Sequence, residues 1–515
     1  MISAKWLGKA VYNLCGIRSV TLGSARFASF KDINRHGLFK SNGLILGTVG
    51  GRIVRAPEDD HLLVIAPTKS GKTSCFVNTN LLELKNASAV VTDPNGESWA
   101  ITRRQRAQEG QIFLWAPFSP VSDMFNPLDF VRIGTPHERD DAELIANLIV
   151  PDGSNVSEAF WDRQARDVLV GIILYVLYSR APEKQTMAEL RHLITLGEEA
   201  FNQLLEAMIF CGHPLIRRCA NMLQSQESKL RSNVMATVQS LTRIWDSPLL
   251  TKVTSASNFR FGDLRAHTGT VYLVVPPDNL PTYYPAVALL TGVALAEINR
   301  AKPLNAKRVV FMLDEFANLG RLKPVETAIS IARKAGIQLC LFMQDIAQAH
   351  RVYGKDWQSF ESNCRTKVLF GVNQVEEAKK LSETIGVHTV KTRSAGHIHG
   401  LTDVMPGQLN AGTGEAARSL KTPDELLTMD NRHCVVLQQG VRPILAEKLY
   451  FKDKMFNGRY DIWDGKQPYE NIELFIRQER PDLSYGKTLT LPPARQLPCQ
   501  DDEIIELSDD KSEAA

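Results

Sequence analysis

The sequence predicts an α/β fold: a parallel sheet whose strands fall in two blocks, separated by an all-helical stretch. Two observations predict it. Short apolar runs ending in polar residues recur at 61–67, 87–92 and 111–115, and again at 270–275, 309–313, 338–342 and 366–370. Runs of this length without alternation are the mark of strands buried on both faces. Between Pro136 and Thr254 the apolar residues instead recur at helical spacing, as in Phe160, Ala165, Val168, Leu169, Ile172 and Ile173, and in Leu230, Val234, Val238 and Leu241. A helical block therefore splits the sheet-forming sequence.

The chain as a whole permits this. Its 515 residues leave room for two or three domains. With 44% apolar and 23% charged residues, a disordered chain is excluded. The formal charge is only +3, so nucleic-acid binding would need a local basic surface or an assembled ring. Eight cysteines without CxxC spacing, and no secretory leader, point to a reducing compartment. No window reaches the roughly 18 uninterrupted apolar residues of a membrane span. The runs 168–177 and 287–295 read as buried helices. Residues 2–20, with Trp6, Leu7, Val11, Leu14 and Ile17 among three cations, read as packing on the body of the protein; lying on a membrane surface is the alternative.

The run at 61–67 delivers the strongest motif, Ala66-Pro67-Thr68-Lys69-Ser70-Gly71-Lys72-Thr73, close to the phosphate-loop pattern G-x-x-x-x-G-K-[ST]. A phosphate ester needs several donors converging on its oxygens, and a tight loop entering a helix provides them through its N–H groups. The expected ligands are ATP and Mg²⁺. Residues Pro67, Thr68, Lys69, Ser70, Gly71, Lys72 and Thr73 would cradle the phosphates, Lys72 reaching the β- and γ-phosphates and Thr73 ligating the metal. Ala66 departs from the pattern, which has glycine there.

The run at 309–313 ends in Asp314-Glu315, two carboxylates at the strand edge where parallel sheets bind ligands. Asp314 is expected to hold Mg²⁺ and Glu315 to orient or deprotonate the attacking water. Gln344, after the run at 338–342, is a candidate γ-phosphate sensor; a satisfied strand-end amide is the plainer reading. Arg333 follows the acids by about one helix and is placed to enter a neighbouring subunit's site, where an arginine stabilises a transferring phosphoryl group. A solvated arginine fits equally well. Asp93 and Glu97 end another run on the same edge, where Pro94 to Gly96 also suit a turn. Residues 410–420 read as a Gly- and Ala-rich loop before a last strand at 434–438. The tail after Pro492 is acidic and reads as a solvated terminus.

With these residues in hand, the chain resembles the conjugative coupling proteins of type IV secretion systems, the TraG family, from about Gly23 to Asp453. The resemblance is carried by Gly23-Ser24-Ala25-Arg26-Phe27-Ala28, the Ala-Pro-Thr opening of the phosphate loop, Asn126-Pro127-Leu128 and Phe160-Trp161 with Ala165-Arg166. It continues through Leu313-Asp314-Glu315-Phe316, Leu319-Gly320, Arg333-Lys334-Ala335-Gly336-Ile337, Gln344, Tyr353-Gly354, Asn363-Cys364 and Arg418-Ser419-Leu420. What it implies is a RecA-like P-loop NTPase domain interrupted by an all-alpha domain, assembled as a homo-hexamer with nucleotide at subunit interfaces. On that pattern residues 1–60 lead into the nucleotide-binding domain. Residues 61–135 and 256–480 are its two parts, 136–255 the all-alpha domain and 481–515 a flexible acidic tail. The implied partners are a relaxase carrying single-stranded DNA, or protein effectors, and inner-membrane components of a type IV secretion system. Relatives usually begin with two membrane-spanning helices, and none is read here. The expected location is therefore the cytoplasmic face of the bacterial inner membrane, reached through partners. A soluble FtsK-like DNA translocase shares the motor chemistry, and a substrate-recruiting adaptor with little turnover is a reading from another class.

Overall fold

The structure is a computed structural model that describes residues 20–119, 122–150, 156–331, 335–397 and 409–463. Arg333, residues 2–19 of the N-terminal segment and the acidic tail lie outside the described residues. In chain order the strands are β1 (Ile45–Val49), β2 (Arg52–Arg55), β3 (Leu62–Ile65), β4 (Ala87–Thr92), β5 (Gln111–Trp115), β6 (Gly269–Leu273), β7 (Arg308–Leu313), β8 (Ile337–Met343), β9 (Thr366–Leu369), β10 (Val387–His397), β11 (Leu409–Ser419), β12 (His433–Gln438) and β13 (Ile444–Glu447). Eleven of them form one sheet in the order β2-β1-β13-β12-β9-β3-β8-β7-β4-β6-β5.

The seven strands from β9 to β5 are parallel, and they coincide with the seven apolar runs of the sequence. Apart from the start of edge strand β5, their side chains are mostly buried on both faces, which is why the runs do not alternate. Leu63, Ile65, Val90, Phe311, Leu313, Leu339 and Leu341 face one core, while Leu62, Val64, Ala89, Val91, Val310, Met312 and Phe342 face the other. The first core is closed by the helical block and by helix Leu280–Arg300, the second in part by helices Asn78–Glu83 and Glu97–Glu109. The two apolar stretches at 168–177 and 287–295 are buried inside this packing, as read from their length. Among the described residues no helix is long and apolar enough to cross a membrane.

Between β5 and β6 the described chain is helical, from Glu138–Ile149 to Pro248–Val253, with Val156–Ser179 the longest element. The departures from the sequence reading lie at the other edge and in a separate two-stranded sheet of β10 and β11. At that edge β12, β13, β1 and β2 continue the sheet antiparallel, so 434–438 is not the last strand. Residues 410–420 are not a loop, because β11 pairs with β10 along its whole length, from Val387 opposite Ser419 to His397 opposite Leu409. Backbone hydrogen bonds alone define such a hairpin, and Gly and Ala give no alternating apolar signal to announce it.

Candidate functional site

Strands β3, β8, β7 and β4 are neighbours, and their C-terminal ends bring the sequence motifs to one edge. The phosphate loop leaves β3 at Ala66, whose N–H still donates to Met343 O of β8 at 2.9 Å. Ala66 is buried and has no positive φ, so the position that departs from the glycine pattern asks nothing of glycine. The loop turns through Ser70 N donating to Pro67 O, with Lys69 at φ 64° and Gly71 at φ 86°. At Gly71 it is the left-handed backbone that requires glycine, since a Cβ would meet Cys75 and Tyr450 only at ordinary contact distance, 3.5 Å. The helix then opens at Thr73 with a π-type turn, Thr73–Val77.

Lys72 Nζ donates to Asp314 Oδ1 and, at 3.3 Å, to Glu315 Oε1. Burial works against the ammonium, but the Asp314 carboxylate and then Glu315 outweigh it and hold the Lys72 pKa above its ordinary value. The two acids are aimed by backbone geometry. Asp314 N donates to Thr92 Oγ1 of β4 at 2.6 Å, and Glu315 N to the Asp314 carboxylate at 2.9 Å. Glu315 itself sits at φ 49°, a left-handed conformation that costs a non-glycine residue on the order of 1 kcal/mol. Its Oε2 is buried without a partner. Gln344 bridges the groups: Nε2 donates to Glu315 Oε1 at 2.9 Å, and Oε1 accepts from the phosphate-loop Thr68 hydroxyl at 3.3 Å.

The structure thus brings Thr68, Lys72, Asp314, Glu315 and Gln344 into one hydrogen-bonded cluster, flanked by Ser70, Gly71 and Thr73. Pro67, Thr68 and Lys69 form the outer limb of the loop. Asp93 is on the same edge but is turned toward the next helix, accepting from Trp99 N at 2.8 Å, while burial pushes its pKa up to about 7. Burial also raises Glu97.

Two features escaped the motifs. Thr92 orients the acid-bearing turn, and Lys448, just after β13, donates to Ser70 O inside the loop at 2.9 Å. No spacing rule links Lys448 to a loop so distant in sequence; only the pairing of β13 with β12 carries it there.

An unpaired buried carboxylate oxygen, a lysine pinned by two acids and a left-handed glycine in the loop fit a phosphate ester with a divalent cation. Among the described residues no three His, Cys, Asp or Glu side chains form a metal cluster, so phosphate oxygens and water would complete the shell of such an ion.

Comparison with known proteins gives a consistent picture. The family described as "Type IV secretory system Conjugative DNA transfer" matches residues 26–468. Conjugal transfer protein TraG of Escherichia coli is 28% identical over 496 residues, covering 85% of this chain and 78% of TraG. Protein VirD4 of Rhizobium rhizogenes is 27% identical over 480 residues, covering 89% of this chain and 69% of VirD4. Among solved structures, the unbound bacterial conjugative coupling protein TrwBdeltaN70 superposes with a TM-score of 0.65 at 18% identity, covering 82% of this chain and 92% of its own. The plasmid coupling protein TrwB in complex with ADP and Mg²⁺ gives 0.64 at 18% identity, covering 85% and 96%.

Proposed function

The chain belongs to the type IV secretory system conjugative DNA transfer family, and from that premise we propose that it is an ATP-hydrolysing coupling protein. It recruits relaxase-bound single-stranded DNA, protein effectors, or both, to a secretion channel and helps drive their transfer. The observation that carries the reading is the Lys72 ammonium held between Asp314 and Glu315 with Gln344 alongside.

The chain's own groups divide the work. N–H groups of the loop from Ser70 to Thr73 bind the phosphates, and Lys72 exchanges its carboxylate partners for the β- and γ-phosphate oxygens. Thr73 and Asp314 would hold Mg²⁺, which would supply positive charge beside the phosphates. Freed from Lys72, Glu315 orients the attacking water and accepts its proton, while Gln344 fixes the carboxylate's direction. In a homo-hexamer Arg333 enters the neighbouring subunit's site. The motor is made of 61–135 and 256–480, and the helical block 136–255 forms the end where cargo enters. Inner-membrane components of the secretion system hold the assembly at the membrane.

The test is magnesium-dependent ATP turnover by the purified chain, alone and with single-stranded DNA at high protein concentration. Loss of turnover in both Lys72→Ala and Glu315→Gln supports the reading; unchanged rates in folded variants reject it. Co-purification from cells carrying the secretion system then separates a relaxase from effectors as cargo.

A further inference from the structure

Lys448 is buried, and the nucleotide site proposed above does not use it. Its ammonium donates to Ser70 O at 2.9 Å, to Phe370 O at 3.0 Å and to Asn431 Oδ1 at 2.9 Å, and lies 4.6 Å from the centre of the Phe370 ring. All three oxygens are neutral. The Asp430 carboxylate nearby is engaged by Arg432. The thiols of Cys75 and Cys434, which also face the ammonium, are pushed up to about 12 by burial and carry no charge at neutral pH. Among the described residues Lys448 is therefore a buried cation with no carboxylate in ion-pair contact: burial lowers its pKa and the Asp430 charge acts on it only from a distance, an arrangement that is costly unless an anion compensates it.

Its contact with Ser70 has a directional consequence. In a trans peptide the C=O and the following N–H point opposite ways. Holding the Ser70 oxygen fixes the Gly71 N–H on the side away from Lys448. The residues that follow Lys448 brace the same junction: Phe451 N donates to Ser74 O at 3.1 Å, and Leu449 O accepts from Thr79 Oγ1 at 3.0 Å.

We propose that Lys448 is a positioning residue of the phosphate loop, one that turns the Gly71 N–H toward bound phosphate and supplies a positive charge whose counter-ion is the nucleotide. This inference rests on the nucleotide-binding reading of the site.

Two variants of the full chain test it, with a fluorescent ADP analogue and Mg²⁺ as the probe and the unfolding midpoint without nucleotide as the control. Lys448→Met removes the charge and the contact, and should weaken binding at least ten-fold. Asn431→Asp keeps the hydrogen bond but gives the ammonium a permanent carboxylate partner. It should leave the midpoint at or above wild type and still weaken nucleotide about ten-fold, an effect that a purely structural lysine would not show. Wild-type affinity in Asn431→Asp overturns the proposal, whatever Lys448→Met does. If wild type binds the probe and Lys448→Met binds it equally, the proposal also falls and the site reading stands. If wild type does not bind at all, the site reading itself fails.

Discussion

Gln344 donates to Glu315 Oε1 at 2.9 Å while its own amide oxygen accepts from Thr68, so one side chain just after β8 spans the phosphate loop and the acid after β7. That position exists because β8 lies between β3 and β7 in the sheet. The link suits a group that reports the state of the phosphate loop to the base. Gln344→Ala should lower kcat about ten- to a hundred-fold, the range of a lost orienting hydrogen bond, with KM changed by only a few-fold. Steady-state kinetics check it; a rise in KM with unchanged kcat would assign Gln344 to binding alone.

Arg333 is predicted to act across a subunit interface, since it follows Asp314 and Glu315 by about one helix on the family pattern. Mixing Arg333→Ala subunits with Glu315→Gln subunits should recover ATP turnover, because the first mutant's site then meets the second mutant's arginine. Loss of such an arginine can cost several orders of magnitude in rate, so recovery would be plain. Activity no greater than the sum of the two mutants, in mixed rings confirmed by mass that tolerate Glu315→Gln beside wild type, rejects the role.

Arg106 carries a different kind of prediction. Its buried guanidinium donates to Leu84 O, to Ala87 O at 2.8 Å and to Thr270 Oγ1 at 2.9 Å, tying helix Glu97–Glu109 to β4 and β6. Arg106→Met leaves three buried acceptors without donors, and should cost at least about 2 kcal/mol. The expected outcome is a lower denaturation midpoint with nucleotide affinity per folded molecule unchanged.

The sequence made the parallel half of the sheet legible because the strands inside it are buried on both faces and cannot alternate. The same physics made the Lys72, Asp314 and Gln344 positions legible, since parallel strands deliver their C-terminal residues to one edge. The antiparallel half gave no such signal. Strand β2 is only Arg52–Arg55, with one fully buried residue, and the separate sheet of β10 and β11 is built mostly from Thr, Ala, Gly, Ser, His and charged residues. Lys448 was equally hidden: a lysine after a short strand looks like any surface charge until β13 sets it behind Ser70.

Asp93 makes stability depend on pH in a direction that can be stated in advance. Its carboxyl is buried, and that burial, opposed by the Trp99 and Ser98 amides, raises its pKa from 3.8 to about 7. The folded state therefore keeps a proton that the unfolded chain releases. Below the unfolded value both states are protonated and the group makes no difference. As pH rises from about 4 to 7 the unfolded state is increasingly favoured, and above 7 the penalty is complete. A shift of this size corresponds to at most about 4 kcal/mol. Asp93→Asn keeps an oxygen to accept from Trp99 N but cannot ionise, so it should be as stable as wild type near pH 4 and more stable near pH 8. Denaturation midpoints of both proteins across that range measure the difference. A gap between them that stays constant with pH would mean that Asp93 is ionised in the fold, with its charge compensated by the amide N–H groups of the first helical turn, such as Trp99 N.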